Sequence, residues 1–206
     1  MGPHLITPYG GITVMLPAAL VIGAWLWTAR SKRSALLWGA TIFFAYSTVV
    51  LSKVLFKGWG MAIESLGIYV LSGHAMNTCL ILTVSLSLLA RQLNHRLRWA
   101  GATLGLTLGW LYSVFCVAPF IHPLAEAIAG ALVGSLAASA FLLGLEGHAP
   151  RRIPSSAVVV GLLFIAISST TTKYNAERLL DRISVKISGS ERAFKQPDWR
   201  APAEPL

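Results

Sequence analysis

The chain has 206 residues, 55% of them hydrophobic and only 12% charged, with a formal net charge of +9. A soluble domain carries roughly 25% charged residues, so the composition excludes an ordinary soluble fold and points to an integral membrane protein. The basic excess lies in short loops between apolar blocks, as topology signals do, and not on a face that would read nucleic acid.

A membrane span needs about 20 mostly apolar residues. Six stretches are candidates: 12–29, 35–56, 73–91, 99–118, 123–145 and 153–171. The first has no basic residues ahead of it and ends in Trp25-Leu26-Trp27. It therefore reads as a retained anchor and not as a cleaved signal. Arg30, Lys32 and Arg33 follow it. The second span ends near Lys53 and Lys57, which lie one helical turn apart if the helix continues to Gly58. The third opens on Ser72-Gly73-His74 and is followed by Arg91, Arg96 and Arg98. The fourth carries Gly101, Gly105 and Gly109, and the fifth Gly130 and Gly134 among several alanines. Small residues at this spacing let helix backbones approach closely; they can also line a groove, but packing is their usual role. His122-Pro123 opens the fifth span, with Glu126 one turn further in, and Arg151 and Arg152 follow its end. Cys79 and Cys116 fall inside apolar segments and are expected to be free thiols. Six of the tryptophans lie mostly near span ends, as interfacial anchors do.

Loop charge sets the orientation. The first, third and fifth loops hold the basic clusters and are expected to face the cytoplasm. Lys53, the loop holding His122, and both termini then face outward. After Thr172 the pattern changes. Ala176, Leu179, Leu180, Ile183 and Ile187 share one helix face, opposite Lys173, Arg178, Asp181, Arg182 and Lys186. This predicts an amphipathic helix that lies on the outer membrane surface or packs over the bundle. From Ser188 the chain is polar and Pro-containing, reads as poorly ordered, and is assigned no chemistry. The expected organisation is an all-α, six-helix membrane bundle over 1–171, with an extracytoplasmic amphipathic helix and short tail over 172–206.

The outward groups suggest chemistry. Two helix N-termini at one cavity present unsatisfied N–H groups that favour an anion. Gly73 leaves the backbone open to a ligand, and Lys53 with Lys57 adds positive charge. A neutral His attacks phosphorus as a nucleophile while a carboxylate on its other nitrogen fixes the tautomer. A second, protonated His donates to the leaving oxygen. No metal is needed, since the lone His at each mouth lacks the close-spaced pair of a zinc site. Plainer readings stand beside these: His74 as an interfacial polar residue, His122-Pro123 as loop and cap, and Lys53 as a snorkelling side chain. Glu126 is harder to explain away, because an ionisable group inside a span costs roughly 3 kcal/mol or more.

Leu71-Ser72-Gly73-His74 resembles the Pro-Ser-Gly-His motif of the type 2 phosphatidic acid phosphatase superfamily. His122-Pro123-Leu124-Ala125-Glu126, running into Ala129-Gly130, resembles its third motif, and Lys53 matches the Lys that opens the first. The resemblance implies a six-helix membrane fold that removes phosphate from lipid phosphates and diphosphates at the outer face of a bacterial inner membrane, without a cofactor. It implies His122 as nucleophile, Glu126 as its orienter, and His74 as general acid. Lys53, Lys57, Ser72 and Gly73 would bind phosphate. Six positions depart from the pattern. Gly60-Met61 stands where the first motif has Arg-Pro, and Phe115-Cys116 where the third has Ser-Arg; Leu71 replaces Pro, and Glu126 replaces the commoner Asp. Ser113 offers a hydroxyl near the Cys116 position but no charge. The alternatives are a lipid-phosphate-binding or membrane-partner protein without turnover, a lipid phosphotransferase, and a small transporter. Nothing in the sequence sets the oligomeric state.

Overall fold

Each apolar stretch forms a helix whose ends follow the polar punctuation. The computed structural model describes residues 7–146, 152–170 and 176–196. The helices are α1 (Ile12–Thr28), α2 (Lys32–Trp59), α3 (Gly73–Leu93), α4 (Arg98–Tyr112), α5 (Leu124–Glu146), α6 (Ser155–Thr170) and α7 (Glu177–Ser188). Among the described residues no strand forms beyond one bridge, Ile63 to Ile68. Four helical runs are long and apolar enough to cross a membrane: Lys32–Trp59, Gly73–Leu93, His95–Val117 and Leu124–Glu146. The expectation of six equal spans is met only in part. At 17 and 16 residues, α1 and α6 are apolar but shorter, about 25 Å each against a hydrocarbon core of about 30 Å. Phe43, Phe44, Leu104, Leu136 and Leu163 are exposed on these helices, as side chains facing lipid would be.

Helix α3 is the centre of the bundle, and its neighbours reach it through glycine. A Cβ added at Gly101 or Gly105 of α4 would overlap the carbonyl oxygen of Leu86 or Leu82, and at Gly109 it would lie 2.8 Å from Cys79 Cα. The contacts run in opposite directions, so α3 and α4 are antiparallel. Gly130 and Gly134 of α5 press in the same way on the carbonyls of Ser72 and Met76, and here the numbers rise together, so α3 and α5 are parallel. The packing reading of the glycines is therefore correct. Elsewhere indoles fix the register. Trp38 Nε1 donates to Ala19 O at 2.8 Å, and Trp25 Nε1 donates to Ala157 O at 2.8 Å. Met76, Leu80, Ile81, Val84 and Leu88 of α3 are buried between these layers.

The alternation gathers the starts of α1, α3 and α5 with the end of α2 at one end of the bundle. At the opposite end Glu146 accepts from Arg91 Nη2 at 2.6 Å and from Arg98 Nε at 2.9 Å. The basic loops expected on one side thus share an end, apart from Arg151, which lies outside the described residues, as do Lys173 and the expected domain boundary at 171/172.

Helix α7 packs over the bundle against the C-terminal half of α2, but not by its apolar face. Glu177, Asp181 and the fully buried Ser184 face α2, and Ser188 lies against Gly58. Leu179, Ile183 and Ile187 are exposed. The polar face is inward because α2 offers ammonium groups there. Residues 189–196 are also more than a featureless tail: Phe194 N donates to Lys57 O at 2.9 Å.

The glycine contacts lead to the first prediction. Gly134→Val should cost about 1–3 kcal/mol by overpacking. Gly39→Ala, with nothing within 4 Å of the added Cβ, should be neutral or stabilising by up to about 1 kcal/mol through helix propensity. Thermal unfolding of both variants in detergent measures the contrast.

Candidate functional site

Glu126 sits in the first turn of α5 and is completely buried. The helix begins at Leu124, and Pro123 O accepts from Ala127 N at 3.1 Å, so His122 stands just outside the helix. Glu126 Oε2 lies 2.7 Å from His122 Nδ1. Oε1 accepts from Tyr69 N at 3.0 Å, Val70 N at 3.1 Å and Gln196 Nε2 at 2.7 Å. The Glu126 backbone carbonyl also accepts from Ser72 N at 3.3 Å. Four donors on one side chain match the acceptor capacity of an ionised carboxylate. With that acceptor on Nδ1, the proton of a neutral His122 belongs on Nδ1, and Nε2 keeps a free lone pair. The approach to His122 is set by a π-helical turn, Ser113–Val117, at the end of α4. Its Val117 carbonyl accepts from Ile121 N at 2.8 Å and from His122 N at 3.3 Å.

A cavity of about 340 Å³ lies beside this pair, lined among others by Lys53, Lys57, His122, Glu177, Lys195 and Gln196. Helix α2 continues through Gly58, so Lys53 and Lys57 do share a face. Neither ammonium is open. Lys53 Nζ pairs with Glu177 Oε1, and Lys57 Nζ pairs with Glu177 Oε2 at 2.9 Å and with Asp181. Burial pushes the Glu177 carboxyl up, but Lys53 and Lys57 outweigh it and hold it at about 2.

His74 is half-buried near the start of α3, with His122, Lys53 and Glu177 within electrostatic reach of its ring. A Cβ on Gly11 would lie 3.2 Å from its Nε2, so the start of α1 covers it. The described lining of the cavity does not include His74. Ser72 and Gly73 are placed differently from the expectation. Ser72 is fully buried and caps α3, its Oγ accepting from Ala75 N at 3.4 Å. A Cβ on Gly73 would meet Val49 Cγ1 at an ordinary 3.6 Å. These two residues set the start of α3 and do not line the cavity. At the departures from the motif pattern, Gly60 ends α2 in the left-handed conformation at φ 71°, which Gly tolerates best. Cys116 lies half-exposed in the π-helical turn. Ser113 is turned inward, its Oγ donating to Gly109 O at 2.7 Å. Among the described residues no three His, Cys, Asp or Glu stand close enough to hold a metal ion.

Glu177, Asp181, Lys195 and Gln196 were not expected at the site. One signal for the first two is visible in retrospect: Lys53 and Lys57 are four residues apart, and so are Glu177 and Asp181. Two helices with matching i, i+4 charges of opposite sign can pair in two places at once.

The chain is similar to a protein described as an uncharacterized 22.5 kDa protein in the cps region of Klebsiella pneumoniae. The two are 28% identical over 210 residues, covering 96% of this chain and 97% of that one. No family model and no solved structure matches the chain.

Two predictions follow from the geometry. Glu126→Gln should destabilise the protein by about 3 kcal/mol, the cost of breaking a buried pair, and should speed amide hydrogen exchange at Tyr69 and Val70. The second concerns acid. The Glu177 carboxyl is depressed from an ordinary value of about 4.3 to about 2. Its pairing therefore stabilises α7 fully above the ordinary value and is lost as pH falls through about 2. A solvent-sensitive dye on Lys186→Cys should report an undisturbed α7 on acidification from neutrality to about pH 4.5.

Proposed function

We propose that this protein is a metal-independent phosphatase for membrane lipid phosphates or diphosphates, working through a phosphohistidine on His122, as in the type 2 phosphatidic acid phosphatases. The observation that carries the proposal is the His122–Glu126 couple, 2.7 Å long, on one cavity with Lys53 and Lys57. His122 Nε2 attacks phosphorus and forms the N–P bond. The P–O bond to the lipid breaks, and a proton passes to the departing oxygen; the resemblance gives that role to His74, which stands within electrostatic reach of His122 and Lys53 but behind the described lining of the cavity. Water then attacks the phosphohistidine, passing a proton to His74, and inorganic phosphate leaves. Glu126 fixes the His122 tautomer and balances the imidazolium charge. Lys195 also lines the cavity and adds a third basic residue to it. Phosphatidate, phosphatidylglycerol phosphate and undecaprenyl diphosphate are the substrate classes the resemblance implies.

In this reading α1 to α6 all span the bilayer as a unit covering 1–171, and 172–206 lies outside the membrane. The basic end faces the cytoplasm by the positive-inside rule. The His122 end and both termini face the periplasm of a bacterial inner membrane, and the similar Klebsiella pneumoniae protein is in keeping with a bacterial setting. A second reading, a lipid-phosphate binder without turnover, draws on the pairing of Lys53 and Lys57 with α7 carboxylates. A phosphotransferase would use the same residues with a lipid acceptor in place of water.

Purified protein should release phosphate from at least one member of a lipid phosphate panel. His122→Ala should lose about a thousandfold or more of that rate, and His74→Ala about a hundredfold or more. Labelled phosphate should be trapped on the wild type and not on His122→Ala. No release from any substrate, with phosphate binding intact, would leave the binder.

A further inference from the structure

Helix α7 docks on α2 in an unusual sense. Its carboxylates face the bundle, and Leu179, Ile183 and Ile187 face outward. The inward face is made for two ammonium groups. Glu177 gives one oxygen to Lys53 and the other to Lys57, and Asp181 gives a second acceptor to Lys57. A phosphate held between these lysines would use two of its oxygens in the same bridging way. Among the residues lining the cavity, Glu177 and Asp181 offset most of the positive charge of Lys53, Lys57 and Lys195, so the site with α7 docked is a weak match for a phosphate group of charge about −1.5 to −2. The chain beyond α7 continues across the mouth. Phe194 N is tied to Lys57 O at 2.9 Å, the Phe194 ring covers Gly60, and Gln196 Nε2 reaches Glu126 Oε1 at 2.7 Å. One continuous segment therefore touches both the cationic and the His122 side of the site.

We propose that α7 and residues 193–196 form a built-in substrate mimic that closes the site, and that a phosphate group opens it by exchanging with Glu177 and Asp181 on Lys53 and Lys57. The proposal rests on the reading of this cavity as a phosphate site. The shared chemistry is a phosphate dianion, whether free or as a lipid headgroup. Acid does not open the device near neutrality, since the lysines hold Glu177 ionised far below that range; competition for the ammonium groups does. The outward apolar stripe of α7, flanked by Arg178 and Arg182, gives the helix a lipid-facing side on which to move without losing contact with the membrane surface.

The test reads docking directly. A Cβ on Gly58 would lie 3.2 Å from Ser188 Cβ, near the disulfide separation of about 3.8 Å. The full chain carrying Gly58→Cys and Ser188→Cys in a Cys116→Ser background should cross-link under mild oxidant. Inorganic phosphate should slow that cross-linking about threefold or more relative to chloride at equal ionic strength, by mass action on the open form. Soluble short-chain phosphatidate should slow it where phosphatidylcholine does not; an effect of inorganic phosphate alone would assign the exchange to free phosphate. The phosphate effect should vanish in Lys53→Gln. Equal rates in phosphate and chloride would overturn the proposal.

Activity then separates this device from the reaction. Glu177→Gln with Asp181→Asn should raise kcat/KM for lipid phosphate about two- to fivefold, the scale set by part-exposed ion pairs. The oxidised disulfide should silence release, and reduction should restore it. Release that the disulfide leaves unchanged would overturn the device and keep the phosphatase. Phosphate-slowed cross-linking without release from any lipid would keep the device and remove the phosphatase.

Discussion

The Glu126 carboxylate is the interaction on which the arrangement of this end of the molecule depends. It ties His122 just ahead of its own helix, the backbone of Tyr69 and Val70 ahead of α3, and Gln196 near the far end of the described chain. A carboxylate buried without partners would cost several kcal/mol. Here the cost is offset only when all these segments are in place together. The same group that would orient His122 chemically is therefore also what fixes the loop before α3. Loss of any one donor leaves the others on a less satisfied charge, so the junction is cooperative in the sense of a closed polar network.

That junction is possible only because α5 approaches α3 so closely. Gly130 rests on the Ser72 carbonyl, one turn from Glu126 on α5 and just ahead of His74 on α3. A larger residue at 130 would move the two helix mouths apart and take the carboxylate away from the amides of Tyr69 and Val70. Gly101, Gly105 and Gly109 hold α4 on the other side of α3, so that the π-helical turn after it delivers His122 at the mouth. Packing in the apolar layer thus sets the geometry of the polar one. Ser72 takes part in this as a helix cap, and the value of Ser72-Gly73 lies in how it begins α3.

Much of this was legible in the sequence, and the boundary between what was and was not has a physical origin. Apolar blocks and their basic punctuation report directly on helices, and the four-residue spacing of His122 and Glu126 reports on a local contact, because the helix starts between them, at Leu124, and leaves His122 beside its first turn. The glycine stripes are similarly local in their meaning. The partners of Lys53 and Lys57 were not legible, since 124 residues separate Lys53 from Glu177 and neither helix alone indicates its register against the other. The contacts of residues 189–196 were not legible for a related reason. A polar, Pro-containing stretch has little tendency of its own to order, and what orders 189–196 is a set of acceptors, Lys57 O and Glu126 Oε1, that only the folded bundle brings together. The orientation of α7 shows the same limit: its apolar periodicity was visible, but the inward turn of its polar face comes from the lysines it meets.

The charge pattern at the mouth bears on how such a site can work with few cations. At Gly60 the backbone is left-handed at φ 71°, where a side chain such as Arg would be strained by roughly 1–2 kcal/mol. The end of α2 is thereby shaped to take the Phe194 ring and not to present a guanidinium. Lys195 arrives instead on the segment that also carries Gln196, so the charge that complements Lys53 and Lys57 and the carboxylates that mask them belong to one stretch of chain. A fixed arginine would attract phosphate at all times. In the proposed phosphate reading, a cation carried by the same segment as its competing anions couples the attraction to the position of that segment, so that residues 177–196, and not the helix mouths alone, would set the affinity of the cavity for an anion.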